Sequence, residues 1–153
     1  MGSDDQKTEH GRAVALVEDA IKRLGIDPAT ARGPADARSA QYQLRRGSAR
    51  IVIAIHAGEG AREGSLRVAA PVIELPAEAQ RPALYHHVLE LNAKELVGAA
   101  FGVAGSALLV VAERSIRDLD ASEVDSVIRS VGRIADTYDD ALASRFGAKR
   151  SSD

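Results

Sequence analysis

The feature that most limits what this chain can become is an apolar stripe near its end. Val124, Ile128, Val131, Ala135, Tyr138, Leu142 and Phe146 recur at steps of four and three residues. That spacing puts them on one side of an α-helix but on alternating sides of a strand, so only a helix can bury them together. Asp120 and Glu123, three residues apart, have the spacing of a capping box at the helix start, with Asp in place of Ser or Thr. Gly147 stands where such a helix would stop. Asp136, Asp139 and Asp140 fall opposite the stripe and are expected on a solvated face.

A helix of this length needs another layer to cover its stripe. Residues 41–45 alternate, with Tyr42 and Leu44 on one face, and Gly47-Ser48 predicts a turn. The next strand, Arg50 to His56, sets Ile51, Ile53 and Ile55 against Val52, Ala54 and His56. The Ile face belongs to the core. The opposite face would be polar in a sheet with one solvated side. Val52 and Ala54 break that rule, so another subunit, a loop or a bound chain is expected over it. A third strand runs from residue 66 to 75 with Leu66, Val68 and Ala70 inward, and Pro71 predicts an edge strand or a bulge.

Before the strands, Thr8 is the expected N-cap of a helix whose apolar stripe includes Val14, Val17, Ile21 and Leu24, with Gly25 ending it. Residues 26–38 form a connection. The Gly58–Gly64 loop reads as a hairpin tip, since neither a Gly-Lys-Ser/Thr ending nor a following helix makes it a phosphate cradle. After Pro76, a helix opening near Pro82 carries Leu84, Val88 and Leu91, widened by Tyr85 and Leu89. That stripe is broader than one packing surface requires, which predicts a subunit contact. A hairpin follows, Leu96 to Val103 and Ala107 to Glu113, turning at Gly105. The order helix, three strands, helix, two strands, helix is that of an α+β fold with an antiparallel sheet. Residues 1–7 are expected as a flexible tail, 8–147 as one domain and 148–153 as a polar tail.

Composition narrows the function by exclusion. The chain has 153 residues, 45% of them hydrophobic, enough for a core of its own. Aromatics are 3% with no Trp, so stacking platforms for bases or sugars are few. A net charge of −2 gives no bulk attraction to nucleic acid or anionic membranes, although Arg45, Arg46 and Arg50 cluster locally. No cysteine is present, which removes thiolate metal ligands and nucleophiles. His86 and His87 point about 100° apart on a helix and cannot share one metal from the same face. Asp118, Asp120, Glu123 and Asp125 lack the spacing of a calcium loop. No Gly-x-Ser-x-Gly elbow occurs. A binding protein without metal or cofactor is expected rather than an enzyme. Neither an apolar leader nor a membrane-length run is visible, and the cytoplasm is the expected compartment.

The segment from Ile73-Glu74-Leu75-Pro76 onward resembles a known group. A helix holding Leu84-Tyr85-His86-His87-Val88-Leu89-Glu90-Leu91-Asn92 precedes Gly98-Ala99-Ala100-Phe101-Gly102-Val103 and Leu108-Leu109-Val110-Val111. Then come Asp118-Leu119-Asp120-Ala121-Ser122-Glu123-Val124 and Ile134-Ala135-Asp136-Thr137-Tyr138. This series resembles the YbjN-like proteins and the class I type III secretion chaperones, most clearly over residues 72–147, with a lean to the YbjN-like branch. The resemblance implies a non-enzymatic, cytoplasmic, usually dimeric domain that binds a polypeptide. The candidate partner-binding residues are Val52, Ala54, His56, Val14 and Val17. The candidate dimer-interface residues are Tyr85, Val88, Leu89, Asn92 and Phe101. The alternatives are a small-molecule or stress-sensing regulatory domain, or a nucleic-acid adaptor using the arginine cluster.

Overall fold

The computed structural model describes residues 2–153. Its elements are α1 (Ser3–Arg23), a one-turn α2 (Pro28–Ala31), β1 (Ser39–Arg46), β2 (Ala49–His56), β3 (Ser65–Glu74), α3 (Arg81–Lys94), β4 (Ala100–Ala104), β5 (Ala107–Ser115) and α4 (Ala121–Phe146). The expected order holds, with one helical turn added in the first connection and a short 3-10 turn, Glu78–Gln80, ahead of α3. Asp27 caps the first of these turns by accepting from the Ala29 N–H at 3.0 Å, and Pro28 opens it. The strands make one antiparallel sheet in the order β1-β2-β3-β5-β4. The chain therefore leaves β3, passes through α3, and reaches the edge as β4 before β5 returns beside β3.

The chain resolves into two compact units, each discontinuous in sequence. One holds the stretch through Leu44 with Val52–Val68 and Glu113–Ile128; the other holds Arg45–Ile51, Ala69–Ala112 and Arg129–Asp153.

In the first unit, α1 begins at Ser3, so Thr8 lies inside the helix rather than capping it. The Thr8 hydroxyl donates to the Asp4 carbonyl at 3.0 Å, which gives it a partner within the helix. Asp4 and Asp5 occupy the first turn, where the helix dipole favours them. Gly25, at φ +79°, ends α1 as expected. α1 buries Ala13, Val17, Ala20 and Ile21. On β1, Tyr42 is 1% exposed, and its hydroxyl donates to Glu18 Oε1 at 2.7 Å. Arg32 reaches the same oxygen at 2.6 Å. Burial first, and then the bond to the Glu18 carboxylate, push the Tyr42 phenol up to about 12. The Tyr42 hydroxyl in turn holds Glu18 below the usual carboxylate range. At the entry to α4 the capping box is reciprocal: the Glu123 N–H donates to Asp120 at 2.9 Å and the Asp120 N–H donates to Glu123 at 3.0 Å.

In the second unit, Ser48 of the β1–β2 turn donates its hydroxyl to both Asp136 and Asp139. Asp139 is only 6% exposed, which corrects the expectation of a solvated face for it; Asp136 and Asp140 are exposed as expected. Asp139 lies one residue from Tyr138 and three from Leu142, at the margin of the apolar stripe, and the turn closes over it. The hairpin strand expected from Leu96 starts only at Ala100. Gly98 sits at φ +74°, a conformation that breaks an extended run, and Val97 is turned outward, 85% exposed. Pro71 lies within β3, the middle strand of five, so the edge assignment fails. A proline costs a strand one donor.

Candidate functional site

The outward side of the first unit is built by alternation. On β2, Ile53 and Ile55 are fully buried while Val52 and Ala54 are half-exposed and His56 is exposed. On β3, Leu66 and Val68 point inward and Arg67 points out, where its guanidinium meets Glu113 at 3.1 Å. Beyond it, Ser115 donates to Glu63 at 3.0 Å and Arg117 pairs with Glu63 at 3.2 Å. The result is a short apolar strip, Val52 and Ala54, with a polar and charged border in the same unit. Val14 is half-buried on α1, and Val17 is fully buried. Val17 therefore contributes to the interior of its own chain and presents no surface.

An open cleft of about 360 Å³ lies in the same unit, lined by Gln6, Lys7, His10, Arg38, Ala57 and Gly58 among others. His10 Nε2 lies 3.3 Å from the Ile55 carbonyl, and Arg38 donates to the Gly58 carbonyl at 2.6 Å. Both cleft side chains are thus already engaged with backbone.

In the second unit, α3 and β4 present the other candidates. Leu89 is 63% exposed, Tyr85 is half-buried, and Val88 is buried. Asn92 is taken up by β4: its Nδ2 donates to the Phe101 carbonyl at 3.2 Å, and the Phe101 N–H donates to its Oδ1 at 2.7 Å. Phe101 is buried, edge-on to Tyr138 with centroids 5.6 Å apart. Of the five residues expected at a subunit contact, Leu89 and Tyr85 offer apolar surface. Sequence reasoning missed Val97 and Val103, both exposed. The glycine following Val97 was the signal that could have located the first of them. His86 pairs with Glu90 at 2.6 Å on the outside, while His87 is half-buried with its ring 6.0 Å from Phe146. The adjacent histidines thus face different surroundings. Among the described residues no group of three or more His, Asp or Glu could hold a metal ion, and no helix is long and apolar enough to cross a membrane.

An α1-led, five-stranded antiparallel sheet with α3 inserted before its edge hairpin and α4 closing the chain defines the fold of type III secretion chaperones. The chain belongs to the family described as T3SS (YopN, CesT) and YbjN peptide-binding chaperone 1, whose model matches residues 12–153. Solved structures share the fold at low identity. In the crystal structure of the ExsC–ExsE complex the match is 14% identical, covers 86% of this chain and 94% of that one, and has a TM-score of 0.57. In the HopA1–SchA chaperone–effector complex the figures are 12%, 84%, 93% and 0.55. In the Yersinia pestis type III secretion chaperone SycH bound to a stable fragment of YscM2 they are 17%, 80%, 96% and 0.52. No curated protein matches the chain.

Proposed function

We propose that this protein is a chaperone-like or regulatory binding protein that holds an extended polypeptide segment against the outward face of β2, and that it works as a homodimer paired through α3. The observation that carries the reading is the half-exposed Val52 and Ala54 beside a fully buried Ile face. The first unit keeps these apolar side chains partly exposed at its surface. An extended chain with side chains at a two-residue period suits such a strip. Family membership supports a peptide guest, and the similar solved structures include a chaperone–effector complex. Leu89, Val97 and Val103, exposed in the second unit, support a subunit contact. A stable contact would bury about 800 Å² on each partner, and a twofold pairing is the commonest arrangement.

The test uses peptides selected on the wild-type protein from a random-sequence display library. Val52→Asp and Ala54→Asp are expected to weaken the selected peptides about tenfold or more, the equivalent of about 1.4 kcal/mol, while the melting temperature stays within about 2 °C. Peptides that bind both variants as well as wild type overturn the reading. So does a large fall in melting temperature, which would make this face part of the core.

A further inference from the structure

Past the last turn of α4, a short segment of the second unit returns to the end of β3. The Ser151 N–H donates to the Val72 carbonyl at 3.0 Å, and the Glu74 N–H donates to the Lys149 carbonyl at 2.9 Å. Ile73 and Arg150 face each other across these bonds as an antiparallel bridge. The next residue, Leu75, turns its N–H to the other side, to the Ser106 carbonyl at 2.8 Å. On its other side the end of β3 is thus paired with residues 149–151, outside the five strands, in the manner of an added strand.

What holds this segment is unlike what holds the five strands. Lys149 and Asp153 are exposed, and Arg150, Ser151 and Ser152 are half-exposed, so no apolar side chain anchors it. Beside the main-chain bonds, the Arg150 guanidinium meets Asp140 at 2.9 Å, and Asp153 of its own segment at 2.6 Å. The Asp140 side chain is 80% exposed. Exposed ion pairs of this kind are weak and screened by salt. Main-chain pairing accepts any extended sequence, while a carboxylate beside it favours a cation at a single position.

We propose that the Val72–Glu74 edge is a strand-accepting site for an extended polypeptide segment that carries an arginine opposite Asp140, and that residues 149–151 are an internal placeholder which such a segment displaces. The placeholder is tethered, so its local concentration is in the millimolar range, and a competing segment must exceed that. This site is separate from the β2 strip, and its test does not require the β2 reading to hold.

The experiment keeps the full chain and uses Ser151→Pro, which removes the donor to Val72, with Arg150→Ala as a second variant. The probe is a capped peptide of this chain's own residues 148–153, followed by amide exchange and chemical shift at Glu74 and Ile73. In wild type the Glu74 amide is expected to be protected. In Ser151→Pro its exchange should rise about tenfold, as for the loss of one net hydrogen bond, and in Arg150→Ala about two- to fivefold, as for the loss of an exposed ion pair. Added peptide should then restore protection in the variants at concentrations that leave wild type unchanged. At low ionic strength, the same peptide with Ala in place of its arginine, or Asp140→Asn in the variant background, should bind about two- to fivefold more weakly. A Glu74 amide that stays protected in both variants overturns the proposal. So does a peptide that fails to protect it, or one that acts equally with and without its arginine.

Discussion

Asn92 and Phe101 are joined at both ends of one amide: the side chain of Asn92 gives a hydrogen bond to the Phe101 carbonyl and takes one from the Phe101 N–H. β4 is an outer strand of the sheet, and a bare outer strand invites pairing with another chain. The Asn92 amide fills that position as a strand neighbour would, so the middle of β4 is closed to strand addition. A residue expected at a subunit contact thus serves to finish the sheet of its own chain.

Asn92→Ala leaves a part-buried donor and acceptor without partners. The expected cost is about 1–3 kcal/mol. At this chain length that lowers the melting temperature by about 2–4 °C for each kcal/mol. Light scattering on the same variant should show association that rises with concentration, because the β4 edge is now open. Thermal melts with no change from wild type would remove the clamp.

Leu89→Asp tests the proposed pairing through α3. Leu89 is exposed in the chain, so the substitution should leave the melt of an isolated protomer nearly unchanged. Wild type is expected to scatter as a dimer across a micromolar dilution series and the variant as a monomer. A wild-type protein that is monomeric throughout that series removes the dimer.

Tyr42 and Glu18 give stability a pH signature at each end. A phenol held near 12 when folded and near 10 when unfolded favours the native state fully below about pH 10. That contribution falls away as pH rises from about 10 through 12. Glu18, held below its usual range, contributes above the unfolded value of about 4.3 and loses its share as pH falls through the folded value. Tyr42→Phe should cost about 0.5–1.5 kcal/mol at pH 7 in urea titrations. It should also remove this part of the alkaline loss. Equal alkaline slopes in the two proteins would place the titrating group elsewhere.

Two glycines should respond in opposite directions. A Cβ on Gly64 would stand 2.5 Å from Ile116 Cδ1 and 2.8 Å from the His56 carbonyl, and backbone cannot move aside cheaply. Gly64→Ala is expected to cost about 1–3 kcal/mol. Gly11 lies inside α1 with nothing within 4 Å of such an atom, and Gly11→Ala should stabilise by about 0.5–1 kcal/mol. Urea midpoints of the pair against wild type decide both.

The amino-acid order by itself determined the principal helices and strands and their succession, because period is a local property. The four- and three-residue steps from Val124 to Phe146 and the alternation of Ile51, Ile53 and Ile55 each permit one backbone conformation that buries them. The Asp120–Glu123 box and the stops at Gly25 and Gly147 were legible for the same reason. The tertiary structure alone decided which surfaces stay free, since burial depends on what arrives from far along the chain. Asp139 is covered by the β1–β2 turn through Ser48, and Asn92 is engaged by a strand nine residues on. Val97 is turned outward by the glycine after it, and residues 149–151 lie along β3 although nothing in their composition marks a strand. Periodicity states that a face is apolar; only the packed chain shows whether that face is already in use.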